Sequence, residues 1–159
     1  MEPKDIIWKS GCIKRWHNST DAALRESGDT VGAHSQRVAL LIGMLHPLPP
    51  AHLLMCALTH DVPEIVTGDI PSPAKKGVLG EVLELTEDSV RESMGLPQAK
   101  DQKTLSWLTM CDMLDAYLWV RDRAYHLVLT EAWVEQKKAI LTLAEELGVL
   151  DTLQKEFGL

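Results

Sequence analysis

The stretch AHSQRVALLIGML, Ala33 to Leu45, places apolar side chains at Val38, Leu41, Ile42 and Leu45. Steps of three and four residues put these on one face of an α-helix, and Pro47 ends it. The same period recurs along the chain. PKDIIWKSG predicts a short helix with Pro3 at its start and Gly11 at its end. Pro49 and Pro50 open a helix through PAHLLMCALTH, with room for one further turn from Val62 to Thr67. LGEVLELTEDSVRESMG predicts an amphipathic helix closed by Gly95. DQKTLSWLTMCDMLDAYLWVRDRAYHL predicts one long helix from Asp101 to Leu127, with Asp101 as its cap. TEAWVEQKKAILTLAEELG begins on Thr130 as a cap, and VLDTLQKEF forms the last element. Two stretches predict loops: the polar segment His17–Gly32, with one turn at DAALRE, and GDIPSPAKKG, with its prolines and glycines. No segment alternates apolar and polar residues as a strand does. The expected fold class is all-α, a helical bundle forming one domain over residues 1–159.

Composition narrows the partners. The formal net charge is -7, which argues against a nucleic acid polymer, since that needs a basic face. A small anion is not excluded, because local charge decides its binding. No run of about 18 apolar residues occurs, so no membrane partner is expected. MEPKDIIWKS lacks the apolar centre of a signal peptide. Cys12, Cys56 and Cys111 are odd in number and lack CxxC spacing. They are expected to be reduced and mostly buried, which points to a cytoplasmic protein.

The chemistry concentrates in ALTHDVPEIVTGD, Ala57 to Asp69, with His60, Asp61, Glu64 and Asp69. An unpaired aspartate ion at the end of an apolar helix is costly to bury. A divalent metal resolves the cost, since His nitrogen and Asp oxygen are ordinary ligands. Adjacent helical residues diverge by about 100°, so both reach one ion only where the helix ends or bends. Pro63, which disfavours helix at Val62, supplies such a break. His34 is a further candidate, in the first turn of an otherwise apolar helix face. Asp112 is another, and Asp115, one turn on, competes with it. Singly, each has an ordinary reading: a hydrogen-bonded core histidine, a chance HD pair, a surface aspartate, solvated loop acids at Glu64 and Asp69. His17, His46, His52 and His126 are read as structural or surface residues.

Together, the order H, then HD, then D on three helices resembles the HD-domain metal-dependent phosphohydrolases. RW at Arg15-Trp16, GAHSQRVA, ALTHDVPEIVTGDIPSPAKK and CDMLDAYL resemble the bacterial HD-domain 5′-deoxynucleotidases more closely. The resemblance implies an HD-domain bundle with His34, His60, Asp61 and Asp112 as metal ligands, favouring Asp112 over Asp115. The expected ion is Zn²⁺, Co²⁺ or Mn²⁺. It implies Glu64 as the acid that positions or activates water, and Asp69 as the acid that protonates the leaving oxygen. Arg15 and Trp16 fall on residues that contact phosphate, sugar or base, and Lys75 on a basic group near phosphate. Phosphate ester hydrolysis needs such parts: an activated nucleophile, charge neutralisation and a proton for the leaving group.

Three departures bear on specificity. Trp16 to His34 spans eighteen positions (34 − 16), longer than the family has there. Ala33 stands where the family carries an acid. The compact length is similar to that of bacteriophage dATP triphosphohydrolases, which release deoxyadenosine and triphosphate. Residues just after RW limit the accepted base there, making Asn18 a candidate base contact. The expectation leans to that triphosphohydrolase. The alternatives are a 5′-deoxynucleotidase acting on monophosphates and a catalytically silent nucleotide-binding module. A viral source would put the protein in the host cytoplasm. By family analogy a homo-oligomer is expected, dimer or hexamer. The surplus of apolar residues in the last helices, including Trp107, Trp119 and Trp133, points to an interface.

Overall fold

The computed structural model describes residues 3–70, 75 and 78–159. The order is α1 (Pro3–Ser10), α2 (Ala22–Arg25), α3 (Val31–Leu45), α4 (Ala51–Thr59), α5 (Glu64–Thr67), α6 (Val78–Ser93), α7 (Gln102–Arg123), α8 (Glu131–Glu146) and α9 (Leu150–Phe157). A 3-10 turn, Tyr125–Leu129, joins α7 to α8. No strand occurs among the described residues, and the class is an all-α HD-domain bundle.

The centre of the bundle is α3, packed between α4 and α7. Thr30 caps α3: its Oγ1 accepts from the Ala33 N–H at 3.2 Å, so the helix starts two residues ahead of Ala33. Its buried side is Val31, His34, Ser35, Val38, Leu41, Ile42 and Leu45. The only imidazole on that helix therefore lies in its apolar stripe. α7 answers with Trp107, Met110, Cys111 and Leu114, and its far side carries α8. Leu114 is fully buried, so truncating it to alanine costs about 2–5 kcal/mol.

The polar loop His17–Gly32 is tied down at both ends. Asp21 caps α2, and Leu24 of that short helix enters the core. The Arg15 N–H donates to the Asp29 carbonyl at 3.0 Å and the Val31 N–H to the Ile13 carbonyl at 2.9 Å. Gly11 and Gly32 touch backbone to backbone where α1 meets the start of α3.

Several expectations need correction. The helix expected to run to Leu127 ends at Arg123. Ala124 leaves helical backbone at φ −142° and ψ 56°, and the 3-10 turn buries Val128 and brings α8 back along α7. Burial of that apolar group outweighs continuing a helix beyond its neighbours. Thr130 holds the cap position of α8, but its hydroxyl donates to the Leu127 carbonyl at 2.7 Å. The cysteines need no correction: all three are free and two of the three, Cys56 and Cys111, are buried, with Cys12 exposed. The three tryptophans of the last helices each have neighbours within the chain. Trp107 is buried, Trp119 lies between the guanidiniums of Arg37 and Arg123, and Trp133 packs against Trp16 and Tyr117. Within the expected loop GDIPSPAKKG, residues 71–74, 76 and 77 lie outside the described residues. Among the described residues no helix is long and apolar enough to cross a membrane.

Candidate metal centre and active site

α4 ends at Thr59, and the chain bends at once. The Val62 N–H closes onto the Thr59 carbonyl at 3.1 Å and the Glu64 N–H onto the Asp61 carbonyl at 3.0 Å. Pro63 has no N–H to continue the ladder. The bend turns His60 and Asp61 to one point, with His60 Nε2 3.3 Å from Asp61 Oδ2. From α3, His34 Nε2 lies 3.3 Å from His60 Nε2 and 3.5 Å from Asp61 Oδ2. From α7, Asp112 Oδ1 reaches within 2.9 Å of His34 Nε2 and 3.9 Å of His60 Nε2.

The other ring nitrogens are held from behind. His60 Nδ1 donates to the Ala57 carbonyl at 2.7 Å, and His34 Nδ1 donates to Asp115 Oδ2 at 2.7 Å. Both Nε2 atoms are thereby aimed inward, as metal-bound histidines are. Asp115, weighed against Asp112, stands on the opposite nitrogen of the same imidazole.

This donor set fits a cation. Donors about 2.0–2.1 Å from a tetrahedral ion stand about 3.3 Å apart, which matches the separations among His34, His60 and Asp61. Burial alone would depress the His34 imidazole, but the Asp112 and Asp115 carboxylates outweigh it and raise it from 6.5 to about 9. Burial opposes ionisation of Asp112, yet the hydrogen bond from His34 and the neighbouring imidazole charges hold it below the ordinary carboxylate range. Positive charge is favoured at this point, whether as a proton or as a metal ion.

Glu64 opens α5 one turn beyond Asp61 and is 3% exposed. Its Oε1 accepts from Lys75 Nζ at 3.1 Å, while Oε2 is buried with no hydrogen-bond partner among the described residues. Burial, then the Asp61 charge, push Glu64 from 4.5 up to about 8 against the pull of Lys75. Lys75 also lies 3.7 Å from Glu87, so it stands among acids.

Asp69 accepts the Trp16 N–H at 3.0 Å. Trp16 has φ 63°, a left-handed backbone that costs an L-residue about 1–2 kcal/mol. Two contacts hold it there: that N–H bond, and Nε1 donating to Asp29 Oδ2 at 3.1 Å. Arg15 sits 3.4 Å from Asp29 Oδ2, 3.7 Å from Asp115 Oδ2 and 5.2 Å from the Trp16 ring. Asn18 is exposed and makes no side-chain hydrogen bond among the described residues. The structure therefore gathers His34, His60, Asp61 and Asp112, and joins Glu64 to Lys75 and Asp69 to Trp16. It does not draw Asn18 in.

Three residues escaped sequence reasoning. Asp29 is 2% exposed, in a segment that reads as loop, and accepts from Arg15, Trp16 and Arg37. Arg37 bonds both Asp29 and Asp115. Arg91, on α6, donates to the His60 carbonyl at 2.7 Å. One usable signal existed: Arg37 follows His34 by one helical turn, a position from which it can reach the same neighbours.

A helical bundle with a His-His-Asp cluster of this geometry defines an HD-type hydrolase with a site that could hold a metal ion. A family model described as 5′-deoxynucleotidase YfbR-like matches residues 6–122, and the chain belongs to that family. The match runs from α1 nearly to the end of α7 and takes in all four clustered residues. No curated protein matches the chain.

Proposed function

We propose that this chain hydrolyses 2′-deoxynucleoside 5′-phosphates, with the monophosphates as first substrates. The observation that carries the reading is the convergence of His34, His60, Asp61 and Asp112 beside the buried Glu64. Membership of the 5′-deoxynucleotidase family supports the substrate class. The longer Trp16–His34 segment, which carries the short helix α2, supports dATP triphosphohydrolysis as a second reading.

In the mechanism His34, His60, Asp61 and Asp112 would hold Zn²⁺, Co²⁺ or Mn²⁺. Such an ion would supply Lewis acidity, making water more acidic and neutralising phosphoryl charge. Glu64, buried one turn beyond Asp61, takes the proton of the attacking water. Arg15 and Lys75 neutralise charge on the transferring phosphoryl group. The water oxygen bonds to phosphorus, the P–O5′ bond breaks, and Asp69 protonates the departing 5′ oxygen. Trp16 walls the sugar or base. Asn18 lies on the exposed stretch just beyond and contacts the base only once the nucleotide is bound.

The test is product analysis by chromatography. Protein with Co²⁺ or Mn²⁺ is given each deoxynucleoside mono- and triphosphate separately. Deoxynucleoside and single phosphate from monophosphates is the expected result. Deoxyadenosine and inorganic triphosphate from dATP would establish the second reading. No turnover with any metal would leave a silent nucleotide-binding module.

A further inference from the structure

Behind the metal centre lies a closed set of charged groups that the chemistry above does not use. Asp115 is 4% exposed and Asp29 is 2% exposed. Two buried carboxylates need cations or donors to stay ionised. Arg37 serves both. Its Nε donates to Asp115 Oδ1 at 2.6 Å, and its Nη2 donates to Asp115 Oδ2 at 3.0 Å and to Asp29 Oδ1 at 3.0 Å and Oδ2 at 3.1 Å. One planar guanidinium thus spans two acids. Trp119 covers it, with the guanidinium carbon 4.2 Å from the ring centroid.

Each acid then acts on a different half of the site. Asp115 accepts from His34 Nδ1, which leaves Nε2 facing His60, Asp61 and Asp112. Asp29 accepts from Trp16 Nε1 and lies 3.4 Å from Arg15. The left-handed backbone of Trp16 makes that anchor matter, since the residue relaxes if nothing holds it.

We propose that Arg37 is a positioning residue that joins the two halves: through Asp115 it orients the metal-facing imidazole of His34, and through Asp29 it holds Arg15 and Trp16 at the nucleotide. The proposal rests on the hydrolase reading above. It assigns separable duties. Asp115 acts chiefly on metal affinity, although it also lies 3.7 Å from Arg15, Asp29 acts on nucleotide binding, and Arg37 acts on both.

Three variants test this: Asp115→Asn, Asp29→Asn and Arg37→Lys. Calorimetry gives the Co²⁺ Kd of each metal-free protein, steady-state assays with dAMP and dATP give KM and kcat, and thermal melting gives stability. Asp115→Asn is expected to weaken Co²⁺ binding about 10–100-fold, the usual loss when the partner of a ligating histidine is changed. Its KM at saturating Co²⁺ rises less than that of Asp29→Asn, since Asp115 stands farther from Arg15, at 3.7 Å against 3.4 Å. Asp29→Asn is expected to leave the Co²⁺ Kd within about twofold and to raise KM severalfold, with kcat falling less. Arg37→Lys keeps the charge but not the fork, so both quantities move. Should Arg37→Lys fail to fold, the split between the two aspartate variants still decides.

The proposal is overturned if Arg37→Lys keeps both quantities within about twofold of wild type. It is equally overturned if all variants lose metal and nucleotide binding together in proportion to lost melting temperature, because that marks a purely structural network. If the wild type itself binds no Co²⁺ and hydrolyses neither nucleotide, the hydrolase reading falls first and this one with it. Wild-type activity with an unresponsive Arg37→Lys removes the positioning role alone.

Discussion

Replacing Arg91 with alanine cuts one contact between α6 and the end of α4. The Arg91 side chain is 16% exposed; its Nη2 donates to the His60 carbonyl at 2.7 Å and its Nη1 to Asp88 at 2.9 Å. The His60 carbonyl belongs to the last turn of α4, where the helix's own N–H groups run out. A cation there completes a hydrogen bond and also meets the negative end of the helix dipole. A hydrogen bond from a charged group at a partly buried carbonyl is worth about 1.5–3 kcal/mol. The Asp88 pair adds little, about 0.5 kcal/mol or less, because Asp88 is 55% exposed. The expected loss is therefore about 2 kcal/mol, or about 4–8 °C in Tm for a chain of this size. His60 sits directly on the loosened carbonyl, so Co²⁺ affinity should fall severalfold as well. Thermal melting and calorimetric Co²⁺ titration of Arg91→Ala and Arg91→Lys measure both effects. Lysine should recover part of each. An Arg91→Ala protein that melts within about 1 °C of wild type and binds Co²⁺ equally well would refute the reasoning.

Further outcomes follow from the same geometry. Glu64→Gln should lower turnover about 10²–10⁴-fold while Co²⁺ still binds, since the proton acceptor is lost and the four clustered donors remain; retained turnover would remove Glu64 from the chemistry. The metal-free protein should weaken as pH rises. His34 titrates at 6.5 when unfolded and at about 9 when folded, so its contribution is complete below pH 6.5 and gone above about 9. Glu64, raised by burial to about 8, adds a loss between 4.5 and 8, because the unfolded chain ionises it more readily. Asp115, held down by His34 and Arg37 against burial, acts at the acid end with the opposite sign. Urea midpoints measured with chelator, flat or rising over this range, would contradict the assignment. Gly32→Ala should destabilise by about 1–3 kcal/mol, since its Cβ would lie 2.8 Å from Gly11 Cα and 3.0 Å from Gly11 O, and backbone cannot give way as a side chain can. An unchanged melting temperature would show that α1 does not pack there as described.

What could be read in the chain divides along a physical line. Features with a local period were legible. The stripe of α3 announced itself by steps of three and four, and Asp101 marked the start of α7 because its Oδ1 takes the Thr104 N–H at 2.9 Å within one turn. The end of α7 was not legible, because its cause is burial of Val128 in the turn where α8 packs back along α7, which no local period marks. The site divides in the same way. His60, Asp61 and Glu64 stand in one segment, and Pro63 shows where that segment bends. The network behind them leaves no such trace: His34 and Asp115 are 81 residues apart, and Arg37 and Asp115 are 78. Nothing in spacing or composition pairs them. This is also why the choice between Asp112 and Asp115 had no answer in periodicity. The two lie three residues apart on α7 and therefore share a face. His34 uses both, one carboxylate at each ring nitrogen, so the pair brackets a single imidazole. Asp112 meets Nε2 on the side open to solvent, where an ion and a nucleotide can enter, with its side chain 42% exposed. Asp115 meets Nδ1 in the interior, at 5%, where Arg37 and Arg15 also lie against its carboxylate. Exposure separates the two roles, and exposure is set by the packing of α3 against α7.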